Sequence, residues 1–136
     1  MSREPIEVRV ATYNIHRSRG LDRRTRPERI AAVLAAVKPD VVALQEVIGP
    51  GLSGPGHAEA IGAALGMGWI MAPTRELRRH QFGNVVLSRY PICEHNQLDL
   101  SWKTCEPRNT QRAVIDFGQG RLLRDGFVLA IVGAPN

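Results

Sequence analysis

The chain has 136 residues, 43% of them hydrophobic, which suits about one globular domain with a real core and excludes a disordered chain. A formal charge of +5, from 18 Lys and Arg that are mostly Arg and scattered apart from clusters at 17–29 and 75–79, favours an anionic partner such as nucleic acid or a phosphorylated substrate, or else a solvated basic face. Cys93 and Cys105 cannot build a disulfide framework, the first residues lack an apolar leader, and no stretch is long enough to cross a bilayer, so the expectation is a cytoplasmic protein without a membrane span.

In chain order, Val8, Val10 and Thr12 alternate with Arg9, Ala11 and Tyr13, which predicts a strand ending near Asn14. A polar, arginine-rich loop follows to about Thr25. Pro27 and Glu28 suit the first turn of a helix, and Ile30, Val33, Leu34 and Val37 repeat at helical spacing to give it one apolar face. Pro39 stops that helix. Val41 to Leu44 is a continuous apolar run, predicting a strand covered on both faces. Strand, helix and strand in succession form a βαβ-type pattern, although the pattern does not prove parallel pairing.

The run "IGPGLSGPG" (48–56) is predicted as a loop, and His57 to Leu65 as a helix that Gly66 caps. Short strands are expected at 69–73 and 83–92, and weaker strand signals fall near 94–100, 111–117 and 127–133. Trp69 and Trp102 are expected to pack rather than to serve as base-stacking platforms. The fold class is therefore α/β (α+β), in one domain without internal repeats.

Two predicted strands end on polar residues, Asn14 and Glu46. In α/β sheets that edge is where ligands tend to bind. An amide oxygen and a carboxylate are hard donors of the type Mg²⁺ prefers, and Mg²⁺ takes only one or two carboxylates from a protein. The pattern permits a shared divalent site; it equally permits a capping Asn and a solvated Glu.

The motifs "VATYNIH" (10–16), "RPERIAAVLAAVKPDVVALQEV" (26–47) and "FGNVVLSRYPI" (82–92) are more specific than the periodicity. Together and in this order they resemble the endonuclease/exonuclease/phosphatase family of metal-dependent phosphoesterases, and "CEPRNTQRAVID" (105–116) resembles the strand that comes next. The resemblance implies a four-layer α/β sandwich with mixed, mainly antiparallel sheets flanked by helices, of which this chain carries the N-terminal half. It implies a phosphate-ester substrate, nucleic acid among the options, and Mg²⁺ (or Mn²⁺) as cofactor.

By the same resemblance, Glu46 matches the family's metal-binding Glu, and Asn14 matches the Asn that helps set the metal or the scissile phosphate. His16 falls where the family varies, so a surface or hydrogen-bonding role is expected. Asn84 is expected in scaffold hydrogen bonds or, as the weaker reading, in substrate contact, with Ser88 and Arg89 alongside it. Arg108 and Arg112 are expected either to meet a phosphate bidentately or to serve as rim charges.

The family's second-half motifs, a His at a strand end, a Gly-Asp-x-Asn turn and a closing Asp-His pair, do not occur here, and the tail at 117–136 diverges. The expectation is thus a truncated or frame-altered domain spanning 1–136. Two function classes follow: a metal-dependent phosphodiesterase or phosphatase using Asn14 and Glu46, or an inactive remnant that binds phosphate or nucleic acid, with the 17–29 loop as its basic surface.

Overall fold

A computed structural model describes residues 7–105, 107–118 and 127–132. The first strand, β1 (Val10–Asn14), leads through an irregular loop into helix α1 (Pro27–Val37), and strand β2 (Val41–Gly51) returns beside β1. The two strands pair in parallel, from Val10 opposite Val41 to Asn14 opposite Gln45, so the βαβ pattern does close into a parallel unit. Helix α2 (His57–Leu65) follows, then β3 (Gly68–Leu77) and β4 (His80–Ser88), an antiparallel hairpin whose β4 inserts between β2 and β3. A second, fully antiparallel sheet contains β5 (Ile92–Asp99), β6 (Asn109–Ile115) and β7 (Phe127–Val132) in that order.

Alternation along the strands explains the layers. Val42, Leu44, Val85 and Leu87 point one way, into a core with Ile30 and Leu34 of α1 and Ala58 and Ile61 of α2. Val41, Ala43 and Val86 point the other way and meet Ala113 and Ile115 of β6. The first sheet is therefore covered by helices on one face and by the second sheet on the other. This is why the run 41–44 is apolar without interruption.

Several elements differ from the sequence expectation. β2 does not stop before the Gly/Pro run but continues to Gly51, which pairs with His80. Pro50, which lacks an N–H, sits in an irregularity between Ile48 and Gly51, where a ladder bond is not required of it. A Cβ at position 51 would lie 1.9 Å from the Arg79 carbonyl oxygen, so only glycine allows this close approach. β4 ends earlier than expected, because the Arg89 N–H leaves the ladder to bond the Asp40 carbonyl and the Tyr90 N–H turns back to the Ser88 hydroxyl.

The apolar stripe of α1 is also narrower than predicted. Ile30, Ala31 and Leu34 are buried, whereas Val33 and Val37 remain 45% and 44% exposed at its rim. Trp69 packs against the helix-side core as expected. Trp102 does not: it is 67% exposed in the β5–β6 connection, with the Lys103 ammonium 5.2 Å from its ring centre. The exposed ring keeps its contact with a cation rather than with the core. Among the described residues, no helix is long and apolar enough to cross a membrane.

Candidate active site

β1 ends at Asn14 opposite Gln45, in the middle of β2, which runs on to Gly51. Glu46 therefore does not end its strand as the sequence led one to expect, and an irregularity in β2 shapes its surroundings. Leu44 pairs with Val85, but Val47 pairs with Gly83, so Gln45 and Glu46 together oppose the single residue Asn84. This is a β-bulge, the device by which a strand re-aims a side chain. Glu46 adopts the left-handed region at φ 56°, an uncommon state for a residue with a Cβ. Without the extra residue, Val47 would turn away from the helix-side core; with it, Val47 joins Val42 and Leu44 there.

The chain leaving β1 is strained as well. His16, Arg17 and Ser18 form a left-handed turn with φ values of 48°, 59° and 60°. Such conformations cost roughly 1–2 kcal/mol per residue and concentrate at functional sites. Ile15 anchors the turn: it is buried, and its N–H bonds the Gln45 carbonyl at 3.1 Å.

This turn carries His16 to both Asn14 and Glu46. Its backbone N–H donates to Asn14 Oδ1 at 3.1 Å, and its ring Nδ1 lies 2.9 Å from Glu46 Oε2. An ionised carboxylate only accepts, so the pairing assigns the hydrogen to Nδ1 and leaves Nε2 facing outward on a largely exposed ring. The Glu46 side chain is 13% exposed and the His16 side chain 62%. Gln45 adds a further link between the strands, donating from Nε2 to Thr12 Oγ1 at 3.2 Å. Asn14, His16 and Glu46 are thus tied together by hydrogen bonds at one end of the sheet.

The other residues singled out in the sequence sit elsewhere. Asn84 is buried between the sheets, where its Nδ2 donates to Asn109 Oδ1 at 3.0 Å. Asn109 in turn donates to the carbonyls of Ala72 and Pro73, both at 3.2 Å. Ser88 accepts the Tyr90 N–H, and Arg89 pairs with Asp40. Asp40 also accepts the Arg9 N–H at 2.7 Å, and that bond, followed by the nearby Arg89 guanidinium, holds its carboxyl below the usual value. Arg112 is paired with Glu94 at 3.4 Å on the outward side of the second sheet. Arg108 is exposed beside an open cleft of about 480 Å³ that Asn109, Gln97, Asp99 and Ser101 also line. Neither arginine joins the Asn14–Glu46 group.

His16 takes the exposed, hydrogen-bonding role expected of it; what residue-by-residue reading missed is that its partners are Asn14 and Glu46. The available signal was its place two residues past Asn14, where the chain must turn across the neighbouring strand. The donor set suits a particular kind of cation. One carboxylate and one amide oxygen match the small protein share that Mg²⁺ takes while keeping waters and substrate oxygens. Among the described residues there is no group of three or more His, Cys, Asp or Glu side chains that would make an all-protein cage.

Comparison with known proteins gives a consistent match. The sequence model described as the Endonuclease/Exonuclease/phosphatase family matches residues 11–124. The crystal structure of an endonuclease/exonuclease/phosphatase from Beutenbergia cavernae is similar at TM-score 0.65 and 26% identity, covering 93% of this chain and 37% of that one. A Bacteroides thetaiotaomicron mannosyl-6-phosphatase reaches TM-score 0.67 at 18% identity, over 93% of this chain and 51% of its own. D. rerio TDP2 complexed with a single-strand DNA product gives TM-score 0.63 at 19% identity, over 92% and 45%. The last two show the shared fold alone. The chain spans between about a third and a half of the length of these structures. No curated protein matches it.

Proposed function

The chain belongs to the endonuclease/exonuclease/phosphatase family, and on that premise we propose that it is a metal-dependent phosphoesterase whose cation site is built on Asn14 and Glu46. The observation that carries this reading is the single hydrogen-bonded group formed by Asn14, His16 and Glu46 where β1 ends beside the bulge of β2. The substrate class is a phosphodiester or phosphomonoester, and Mg²⁺ or Mn²⁺ is the cofactor.

Each residue has a part in this reading. Glu46 brings the negative charge, and its bulged, left-handed backbone sets the carboxylate beside the end of β1. His16 holds one carboxylate oxygen and leaves Oε1 available to a cation. Asn14, its amide oxygen fixed by the His16 N–H, offers a neutral oxygen beside it. A bound divalent ion would supply Lewis-acid neutralisation of the developing charge on the phosphoryl oxygens. His16 is then a positioning residue, because it acts through Glu46 and Asn14.

The test is hydrolysis of bis(p-nitrophenyl) phosphate and p-nitrophenyl phosphate by the purified chain, with Mg²⁺ or Mn²⁺ and after chelation. Turnover that needs the ion and falls at least about a hundredfold in Glu46→Gln supports the assignment, given the usual worth of preorganised electrostatic stabilisation. Turnover that survives both chelation and Glu46→Gln removes it. A second reading, phosphate or nucleic-acid binding without turnover, is favoured by the small donor set that the described residues place around Asn14 and Glu46. Ion-stimulated turnover by the pure chain would refute that reading.

A further inference from the structure

Beyond Glu46, the basic residues that the sequence placed in two separate clusters converge on one cleft. It has a volume of about 250 Å³ and lies between the turn after β1, the start of α2 and the β3–β4 connection. Arg17, Arg19 and Arg78 line it together with His57 and His80. Among the described residues, no carboxylate contributes to its wall.

Elsewhere in the described structure, arginines near acids pair with them: Arg29 with Asp22, Arg89 with Asp40 and Arg112 with Glu94. Among the described residues, no such ion pair engages Arg17, Arg19 or Arg78. Three guanidinium groups around one small space repel one another unless an anion sits between them.

Three independent features point the same way. The first is the start of α2, where His57 is the first helical residue and the N-cap is Gly56, which has no side-chain acceptor. Glu59 bonds the Gly56 N–H at 2.7 Å, but no side chain caps the first-turn donors, so the positive end of the helix meets the cleft at His57. The second is His57 itself. Its Nδ1 is buried without a hydrogen-bond partner, an arrangement that costs free energy unless a ligand supplies one. The third is the β3–β4 turn. Leu77 pairs with His80, leaving Arg78 and Arg79 as a two-residue turn with φ values of 49° and 66°. Asn-Gly is the favoured pair for such a turn, and two arginines are strained there. Strain of this kind persists at ligand clamps.

We propose that this cleft is a phosphate-binding site, formed by Arg17, Arg19, Arg78, His57 and the amino end of α2. His80 backs it: its Nδ1 is held by the Gly49 carbonyl at 2.9 Å, which leaves Nε2 as the ring's open atom. A phosphate group suits the set because it offers several acceptor oxygens to forked guanidinium donors, an imidazole N–H and backbone N–H groups at once. The cleft adjoins the proposed cation site. Arg17 follows His16, and Ile48, another lining residue, lies two positions beyond Glu46, about 7 Å along the strand. The site therefore takes a second phosphate of the same substrate, not the one that is cleaved. That placement rests on the phosphoesterase reading; phosphate binding in the cleft does not.

The experiment is a titration of the isotope-labelled chain with inorganic phosphate, followed by amide and imidazole NMR at ionic strength held constant with NaCl. The expected result is saturable shifts at His57, Arg17 and Arg78, including the His57 ring. Affinity should be about tenfold weaker or worse in Arg17→Gln/Arg78→Gln, and unchanged in Arg112→Gln. Both altered residues are exposed, and an unchanged melting temperature confirms that the double variant folds. A single-stranded oligonucleotide that displaces phosphate from these same residues identifies a backbone phosphate as the ligand; failure to displace it identifies a small phosphate ester. Shifts spread over surface arginines, shifts abolished by equal NaCl, or a double variant that binds like the parent would overturn the proposal. Glu46→Gln separates the two readings, since it should abolish ion-dependent turnover and leave phosphate binding in place.

Discussion

The amide pair between the two sheets offers the sharpest test of the architecture. Asn84 is 2% exposed, and its Nδ2 donates to Asn109 Oδ1 at 3.0 Å. Asn109 is 5% exposed and holds the edge of the first sheet through the Ala72 and Pro73 carbonyls. Truncation at Asn84→Ala removes one buried bond and strands Asn109 Oδ1 without water, which costs about 1–3 kcal/mol. For a chain of this size that corresponds to a melting temperature lower by roughly 4 °C per kcal/mol. Asn109→Ala should cost at least as much, because it also abandons two carbonyls. The double variant should cost less than the sum by about 0.5–3 kcal/mol, since both single changes break the same bond. Urea unfolding of the four proteins, followed by circular dichroism, measures all of this. Parent-like stability for Asn84→Ala, or strict additivity in the double variant, would refute the interlayer bond. It would also return Asn84 to the alternative role of contacting substrate.

Two further outcomes follow from particular contacts. Asp40 has its carboxyl held below the ordinary value of 3.8, first by the Arg9 N–H and then by Arg89. Its contribution to stability is therefore fully present above that ordinary value and is lost as pH falls through the lowered one. Asp40→Asn should destabilise the chain at neutral pH and flatten the acid limb of a stability-versus-pH curve; an unchanged limb would count against the pairing. At Gly56 a Cβ would lie 2.1 Å from the Gly49 carbonyl oxygen, so the start of α2 docks on β2 only through glycine. Gly56→Ala should lower stability by about 1–3 kcal/mol in chemical denaturation, the usual cost of forced overpacking. A neutral effect would show that the helix start sits further from the strand.

Much of the fold was legible because it rests on periodicity. Helical spacing at 30–34 and the unbroken apolar run at 41–44 reflect one stripe and two covered faces. Alternation at 8–13 marked a strand but not its buried face, since Val10 is 42% exposed and Ala11 and Tyr13 pack on the helix-side core. The polar end of β1 at Asn14 was visible from that alternation, whereas Glu46 lies inside β2, which runs on to Gly51. What could not be read is geometry imposed by a neighbouring strand. The bulge at Gln45–Glu46 has no glycine to announce it and exists only because β4 pairs on both sides of Asn84. The extension of β2 through Gly49–Gly51 depends on the Arg78–Arg79 turn folding back against it. Arg17 and Arg78 belong to separate sequence clusters and lie 61 positions apart, and only the sheet order β1-β2-β4-β3 brings their turns to one end. Val33 and Trp102 mark the opposite error, in which an apolar side chain was assigned to the core by type when the packing surface did not reach it.

The central claim is that a divalent ion binds between the end of β1 and the bulge of β2, at Asn14 and Glu46. Titrating the labelled chain with substoichiometric Mn²⁺ tests it directly, because paramagnetic broadening falls off steeply with distance from the ion. Broadening that begins at His16, Gln45 and Glu46, is competed away by Mg²⁺ and disappears in Glu46→Gln is the predicted result. Broadening centred on any other carboxylate, or equally strong in Glu46→Gln, would contradict it.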